Sequence, residues 1–275
     1  LGNEIPKVGT TTFRMPYTRS NLGAIAGRDI GNLFDPVRLT RMDDWHRNNG
    51  AKFEHVGQWM RAWYYPQVGE TMAEAVNREV LTVRTTAGLL DASTLGKIDI
   101  RGPDAAEFLN RVYTNGWSKL AVGRCRYGLM LKDDGMVMDD GVTTRLKKNH
   151  YHMTTTTGGA AYVLDWLEEW LQTEWPNLQV YLTSVTEQWA VATLSGPSAN
   201  KILQDAGIDI DLSPTSFPFM SMQNCHIGGL PARVFRISFT GELSYEINVA
   251  ARHGLAMWTH LMKSGAAHGI TPYGT

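Results

Sequence analysis

Apolar residues between positions 71 and 88 recur at the spacing of one helix face. The recurring positions are Ala75, Val76, Val80 and Val83. Thr71 stands three residues before Glu74, which is the pattern of a capping box at a helix N-terminus. Gly88 follows the periodic stretch, as glycine often does after a helix end. The pattern therefore predicts a helix that begins after Thr71 and ends before Gly88.

Residues 97–101 alternate between polar and apolar side chains, as a half-buried strand does. The strand ends at Gly102, and the proline that follows is placed to open a helix over 104–113. The same order of strand, Gly-Pro and helix returns at 190–206, around Gly196. This recurrence predicts two similar halves in the fold.

Turn residues between apolar runs predict two hairpins, over 127–144 and 220–239. Helical spacing returns at 162–171 and 252–262. Strands and helices have similar weight, and hairpins provide most of the connections between strands. The predicted class is therefore α+β with antiparallel sheets.

Residues 1–50 are rich in Gly, Pro, Thr and Asn and show little periodicity. We expect this stretch to be a linker or arm from an upstream domain. The domain itself is expected over 51–275, with two internal halves. Because the last residues, 271–275, are turn formers, we expect it to be incomplete at its C-terminus.

The composition is that of a globular enzyme, with 43% hydrophobic and 19% charged residues among 275. A net charge of −1 gives no long-range attraction to nucleic acid or to an anionic membrane. No apolar run reaches the length of a bilayer span. Cys125 and Cys225 are too far apart for a zinc site or a disulfide framework, so buried thiols and a reduced, cytoplasmic setting are predicted.

Two adjacent acids, Asp139 and Asp140, interrupt an apolar strand. Neighbouring residues on a strand face opposite ways, so one carboxylate faces solvent or a turn and the other faces the interior or a cleft. A carboxylate in a partly apolar cleft has a raised pKa and is suited to proton transfer. The alternative, a strand-end pair that caps backbone amides, has equal weight.

A second acidic candidate follows the turn at 239–242. Glu246 lies in the strand after that turn. If buried, its carboxylate can accept two hydrogen bonds from an amino-pyrimidine edge, as in a pterin or guanine. By pattern alone, a solvated strand residue is the simpler interpretation.

Two further groups are weaker candidates. The aromatic cluster at 59–65 can stack on a flat heterocycle, but an aromatic plug in the core is the more frequent arrangement. His150 and His152 share one face of a strand, and ordinary surface histidines are favoured over a metal site because no third ligand is evident. No Gly-rich dinucleotide or phosphate-binding motif is present.

These segments together resemble the aminomethyltransferase family, which includes the glycine-cleavage T-protein, and within it the alpha subunits of heterotetrameric sarcosine oxidases. The resemblance extends from about residue 50 to the end. The segments that carry it are 90–97, 102–103, 113–115, 123–131, 134–140, 153–159, 186–191, 196–197 and 239–246, with 9–14 and 42–47 near the N-terminus.

The resemblance implies a folate-binding domain that accepts the one-carbon unit of oxidised sarcosine onto tetrahydrofolate, giving glycine and 5,10-methylenetetrahydrofolate. Asp140 matches the family's catalytic acid, and Glu246 its pterin-binding glutamate. Tyr127, Thr156 and Phe239 match positions that line the cofactor. The implied partners are the other oxidase subunits and an N-terminal dinucleotide-binding domain. FAD, FMN and NAD are implied only in that full complex, where sarcosine is oxidised outside this chain.

Some positions depart from the T-protein pattern. Thr94-Leu95 replaces His-Met, Phe239 replaces a tyrosine and Thr156 an asparagine. The family also continues into a C-terminal barrel beyond residue 275. Two alternatives stay open: a free aminomethyltransferase of the glycine-cleavage type, and a folate-binding interaction module without turnover.

Overall fold

A computed structural model describes residues 37–275 of the chain. One compact unit extends over residues 39–275. The strands are β1 (Arg38–Leu39), β2 (Lys52–Val56), β3 (Trp59–Tyr64), β4 (Ala87–Asp91), β5 (Gly96–Arg101), β6 (Cys125–Leu131), β7 (Val137–Lys147), β8 (His150–Thr155), β9 (Tyr181–Ser184), β10 (Trp189–Ser195), β11 (Ser221–Ile227), β12 (Leu230–Arg236), β13 (Ser244–Ala250) and β14 (Ile270–Pro272). The α-helices are α1 (Asp43–Asn48), α2 (Met72–Thr85), α3 (Ala105–Val112), α4 (Ala160–Thr173), α5 (Ala199–Asp205) and α6 (Gly254–Gly265). Short 3-10 turns occupy Thr186–Gln188, Ala251–His253 and Ala266–His268.

The two largest sheets have the same strand arrangement. The five-stranded sheet has the order β6-β7-β8-β5-β9, and the six-stranded sheet has the order β11-β12-β13-β10-β4-β14. In the five-stranded sheet, β5 and α3 precede the meander β6–β7–β8, and β8 pairs antiparallel with β5. In the six-stranded sheet, β10 and α5 precede the meander β11–β12–β13, and β13 pairs antiparallel with β10. The Gly-Pro recurrence in the sequence therefore corresponds to a repeated topology.

The glycine of each Gly-Pro pair has a backbone conformation that side chains disfavour. Gly102 has φ 138° and Gly196 has φ 125°. At Gly102, a Cβ would also overlap the carbonyl oxygen of Gln179. Glycine is required here because the chain turns sharply from strand to helix against neighbouring backbone.

Each sheet buries its outer face under helices. Ala192, Val234 and Ile247 of the six-stranded sheet pack with α5 and α6. Ile98 and Ile100 of the five-stranded sheet pack with α3 and α4. The inner faces of the two sheets approach each other, so that the ring of His152 stacks on Phe235 at 6.1 Å between centroids. The interior between the sheets is therefore partly polar, unlike the two outer cores.

The capping box at the start of α2 is confirmed, because the Thr71 side chain accepts from the Glu74 backbone and the Glu74 side chain accepts from the Thr71 backbone. Gly88 does not end this helix, which stops at Thr85. Gly88 lies inside β4, where Val83 and Tyr273 leave no space for a side chain. The glycine therefore serves close packing rather than helix termination.

The α+β class is confirmed, but the sheets are not wholly antiparallel. Strand β14 pairs with β4 in parallel. A small third sheet has the order β1-β3-β2 and contains much of the aromatic cluster. Trp59 and Tyr65 of that cluster are buried, whereas Trp63 is exposed. Helix α1 lies inside the stretch expected as an arm, and residues 1–36 of that stretch lie outside the described residues.

Candidate functional site

A cleft with a volume of about 250 Å³ opens between the two large sheets. It is lined by Leu95, Tyr127, Asp140, Gly141, Val142, Thr154, Thr155, Thr156, Ile237, Ser238, Phe239 and Glu246. All of the site residues expected from the sequence are therefore brought together in one place. They come from both halves of the repeat, with Tyr127 and Asp140 on one sheet and Phe239 and Glu246 on or beside the other.

Asp140 faces the cleft from β7, next to Tyr127 on β6. The Tyr127 hydroxyl donates to Oδ2 of Asp140 at 2.7 Å. Among residues 37–275, Oδ1 of Asp140 has no hydrogen-bond partner. The hydrogen bond to the carboxylate raises the pKa of Tyr127, so the phenol stays protonated and remains a donor. One carboxylate oxygen is thus fixed, and the other is open to a ligand.

Asp139 is buried on the opposite side of the same strand. Its Oδ1 accepts from the backbone N–H of Asp140 at 2.7 Å and of Thr156 at 3.0 Å. Its Oδ2 accepts from the Thr156 hydroxyl at 2.8 Å. Asp139 therefore joins β7 to the loop before α4, and for this residue the alternative of an acid that caps backbone amides is confirmed.

Thr156 lines the cleft, but its hydroxyl is already engaged. Besides donating to Asp139, the hydroxyl oxygen accepts from the backbone N–H of Gly159 at 3.1 Å. The side chain is thus committed to the loop 156–159 and shapes the cleft wall more than it presents a free donor.

Glu246 lies partly buried on β13, with its side chain in the cleft. Within the described part of the chain, no donor hydrogen-bonds to its carboxylate. Burial raises the pKa of Glu246 to about 7, even though the Lys97 charge acts to lower it. A carboxylate without a protein partner is free to accept hydrogen bonds from a ligand.

Two exposed aromatic side chains flank the cleft, one on β6 and the other in the turn between β12 and β13. Tyr127 is 50% exposed and Phe239 is 91% exposed. Both rings line the cleft, so a planar ligand bound there could lie against them.

Two buried polar networks, which the sequence patterns did not indicate, lie near the cleft. In one, Asp91 accepts from Thr40 at 2.6 Å and contacts His46 at 3.1 Å, and His46 in turn bonds Tyr65. Although burial opposes ionisation of Asp91, the bond to His46 and its charge hold the pKa of Asp91 below its usual value. Lys97 lies close to this network.

In the second network, Asp99 bonds His150 and His152, each at 2.8 Å. The expectation of surface histidines was wrong for His152, which is buried. The alternation of side chains along β8 directs His152 toward the space between the two sheets. Despite the opposing effect of burial, hydrogen bonds from both imidazoles lower the pKa of Asp99. Over residues 37–275, no cluster of His, Cys, Asp and Glu has the arrangement of a metal site.

The thiols follow the expectation of buried cysteines. Cys125 and Cys225 are both free and buried. Burial raises the pKa of each thiol to about 12, so neither is reactive as a thiolate at neutral pH. None of the helices in the described residues has the length and apolar character of a bilayer span.

The family model described as the GCVT N-terminal domain matches residues 42–275. The chain belongs to this family. Its sequence is 57% identical to the sarcosine oxidase subunit alpha of Corynebacterium sp. (strain U-96) over 100% of the chain and 29% of that protein. It is 49% identical to the sarcosine oxidase subunit alpha of Rhizobium meliloti (strain 1021), over 98% of the chain and 27% of that protein.

A solved structure supports the family assignment at the level of the fold. The glycine cleavage system aminomethyltransferase T from Bartonella henselae superposes with a TM-score of 0.73 at 25% identity. The match covers 86% of this chain and 60% of that protein. The chain spans less than a third of the length of the sarcosine oxidase subunits it resembles, since it covers 29% and 27% of the two.

Proposed function

We propose that this chain binds reduced folate in the cleft between its two large sheets. The observation that carries the proposal is the meeting of Tyr127, Asp140, Thr156, Phe239 and Glu246 around one space. The cleft offers an acceptor carboxylate for an amino-pyrimidine edge and two aromatic rings for the flat part of the ligand. Membership in the GCVT N-terminal domain family supports the same ligand.

Glu246 receives the amino-pyrimidine edge of the pterin in this proposal. Its carboxylate is unpaired within the described chain and partly buried, so hydrogen bonds from the ligand would relieve the cost of burying an unpaired acid. Tyr127 and Phe239 then lie against the planar rings. The same residues exclude water from the ligand face between them.

Asp140 acts as the proton acceptor in the transfer step. Closing a methylene bridge between two folate nitrogens requires the loss of a nitrogen proton, and a positioned carboxylate is a suitable base. The Tyr127 hydroxyl fixes Oδ2 of Asp140, which leaves Oδ1 to take the proton. The remaining contribution is the alignment of the two reactants.

The substrate side follows from the similarity to sarcosine oxidase alpha subunits. The one-carbon unit would come from sarcosine oxidised elsewhere in a multi-subunit complex. The products would be glycine and 5,10-methylenetetrahydrofolate. The open Oδ1 of Asp140 favours this enzymatic role over a folate-binding module, where no base would be needed.

The test is calorimetric titration of tetrahydrofolate into the protein and its Glu246→Gln variant. The substitution puts an amide donor against the pterin's own donors and removes a charged acceptor. Affinity should fall by about 2–3 kcal/mol. Glu242→Gln is the matched control, because Glu242 lies outside the cleft and bonds Arg84 at 3.4 Å. Equal affinity in wild type and Glu246→Gln would remove Glu246 from the site.

A further inference from the structure

Lys97 is a charged side chain enclosed between the two large sheets. It is only 1% exposed. Its neighbour on β5, Ile98, points into the outer core with α3 and α4, so Lys97 points toward the six-stranded sheet. Lysine is rarely buried without a partner for its charge, so its position calls for a nearby acid.

The Lys97 ammonium group is tethered by the turn that leads into β5. Nζ donates to the carbonyl oxygens of Ser93 at 2.9 Å and of Leu95 at 2.8 Å. Leu95 itself lines the cleft, so the ammonium group lies directly behind the cleft wall. An ammonium group has three N–H donors, and two are used here. Neither carbonyl neutralises the positive charge.

Two acids lie close enough to act on this charge, Asp91 and Glu246. Asp91 is already satisfied, because it accepts from Thr40 at 2.6 Å, from the Ser93 backbone at 3.0 Å and contacts His46. Glu246 has no such partners in the described chain. Asp91 has the larger effect on the Lys97 charge, whereas Lys97 is the one charged group of the described residues that acts on Glu246.

We propose that Lys97 is a positioning residue that keeps Glu246 ionised, so that Glu246 can accept hydrogen bonds from a donor edge in the cleft. The proposal rests on the proposed function for the identity of that ligand. Lys97 does not contact the ligand in this arrangement. It acts through its charge from behind the wall formed by Leu95.

The other titratable groups around this pair are known from the packing. Burial is the main cause of the lowered pKa of His152 on β8, and the charges of Arg233 and then Lys97 act in the same direction, against the hydrogen bond that His152 donates to Asp99. Cys125 on β6 and Tyr273 beside β14 both feel the Glu246 charge, and burial is the main cause of their raised pKa values. None of these groups supplies a second positive charge to Glu246 near neutral pH.

The pKa values of Lys97 and Glu246 both lie near neutral pH. Burial lowers the pKa of Lys97 to about 8, although the charges of Asp91 and Glu246 act to raise it. Burial raises the pKa of Glu246 to about 7 with the Lys97 charge present. Removing that charge leaves burial unopposed, so Glu246 would hold its proton to a higher pH.

The first test follows Glu246 directly and without any ligand. The carboxyl carbon of Glu246 is titrated by NMR in ¹³C-glutamate-labelled protein, and its signal is assigned by its loss in Glu246→Gln. In Lys97→Met, which keeps the length of the side chain but not the charge, the pKa of Glu246 should rise by at least about one unit. An unchanged titration in Lys97→Met would overturn the proposal.

The reciprocal measurement does not depend on the folding of Lys97→Met. Coupling between two sites acts equally in both directions. In Glu246→Gln, the pKa of Lys97, followed by its ¹³Cε signal, should therefore fall. No movement of that signal would also overturn the proposal.

The last test uses tetrahydrofolate as the probe across pH 6–9. In Lys97→Met, the pH below which tetrahydrofolate binding weakens should rise together with the pKa of Glu246. When Lys97→Met is added to Glu246→Gln, it should have little further effect on binding. A wild-type protein that shows the NMR coupling but binds no tetrahydrofolate would remove the proposed ligand and leave the Lys97–Glu246 pair intact. Loss of binding by the same factor at every pH would indicate a structural role for Lys97 and contradict the proposal.

Discussion

Tyr127 and Asp140, on neighbouring strands of one sheet, are joined by a hydrogen bond of 2.7 Å from the phenol hydroxyl to Oδ2. The two residues are thirteen positions apart in the chain and belong to the β6–β7 hairpin. The bond selects one orientation of the Asp140 carboxylate, with Oδ1 toward the cleft.

Replacement of Tyr127 by Phe keeps the ring in the cleft but removes this bond. One-carbon transfer should slow by roughly tenfold, since a hydrogen bond to a charged group contributes about 1.5 kcal/mol. Tetrahydrofolate binding should change less, because the ring is kept. Single-turnover rates measure the effect. Tyr181→Phe is the control, because Tyr181 is 70% exposed and outside the cleft. If both variants react at the wild-type rate, the bond has no part in transfer.

Asp140→Asn should separate binding from chemistry. Asparagine keeps the size of the side chain but removes the base, so transfer should fall by about 10²–10⁴ while tetrahydrofolate still binds. Under the proposed function, sarcosine oxidation in an assembled complex should continue, and its carbon should leave as formaldehyde instead of methylenetetrahydrofolate. The measurement is the partition between these two products.

The comparison variant for that experiment is Asp133→Asn, on an exposed position of the same hairpin. Asp139→Asn, the choice suggested by strand alternation alone, is not neutral, because Asp139 carries three hydrogen bonds. A wild-type product partition in Asp140→Asn would make Asp140 a passive part of the cleft wall.

The loop 156–159 depends on the close approach of Gly159 to Asp139. A Cβ at Gly159 would overlap Oδ2 of Asp139 and crowd the Thr156 hydroxyl. Gly159→Ala should therefore break the bonds that hold Thr156 and destabilise the protein by roughly 1–3 kcal/mol. Thermal unfolding measures this.

Gly158→Ala is the matched control, since a Cβ there meets only Val56 at 3.8 Å. It should unfold within a few degrees of the wild type. Similar losses of stability in both variants would show that the cost is a general one of adding a methyl group to this loop.

Glu246 is expected to reduce the stability of the ligand-free protein at high pH. Its pKa is raised by burial from 4.5 to about 7, so the folded state binds the proton more tightly than the unfolded state. Between these values, stability falls as pH rises, and the full cost is present above the folded pKa. We therefore compare the free energy of unfolding of Glu246→Gln with that of the wild type at each pH. The variant's advantage above pH 7 should exceed its advantage at pH 4 by roughly 1–3 kcal/mol.

Urea unfolding at pH 4, 6 and 8 checks this sign. A stability difference between Glu246→Gln and wild type that stays constant over the range would mean that Glu246 is not held as an unfavourably buried charge.

Local patterns in the sequence were sufficient for most helices and strands. The capping box at Thr71 and the alternation over 97–101 each depend on neighbouring residues, so they are readable without the fold. Gly88 was wrongly predicted to end helix α2. Its lack of a side chain instead leaves space for the ring of Tyr273, which is far away in the chain. The parallel pairing of β14 with β4 likewise joins distant segments that no local pattern links.

The sequence by itself determined most of the helices, many of the strands, the repeated order of strand, Gly-Pro and helix, and a pair of acids of which one faces inward, because these follow from local motifs and from the period of side chains along a strand or helix. The family resemblance added which acid and which cleft partners to expect. Only the tertiary structure decided that Asp139 anchors the loop at Thr156 and that Lys97 is buried where its charge acts on Glu246. Those relationships depend on how two sheets meet, and the burial and charge they create arise from residues far apart in the chain.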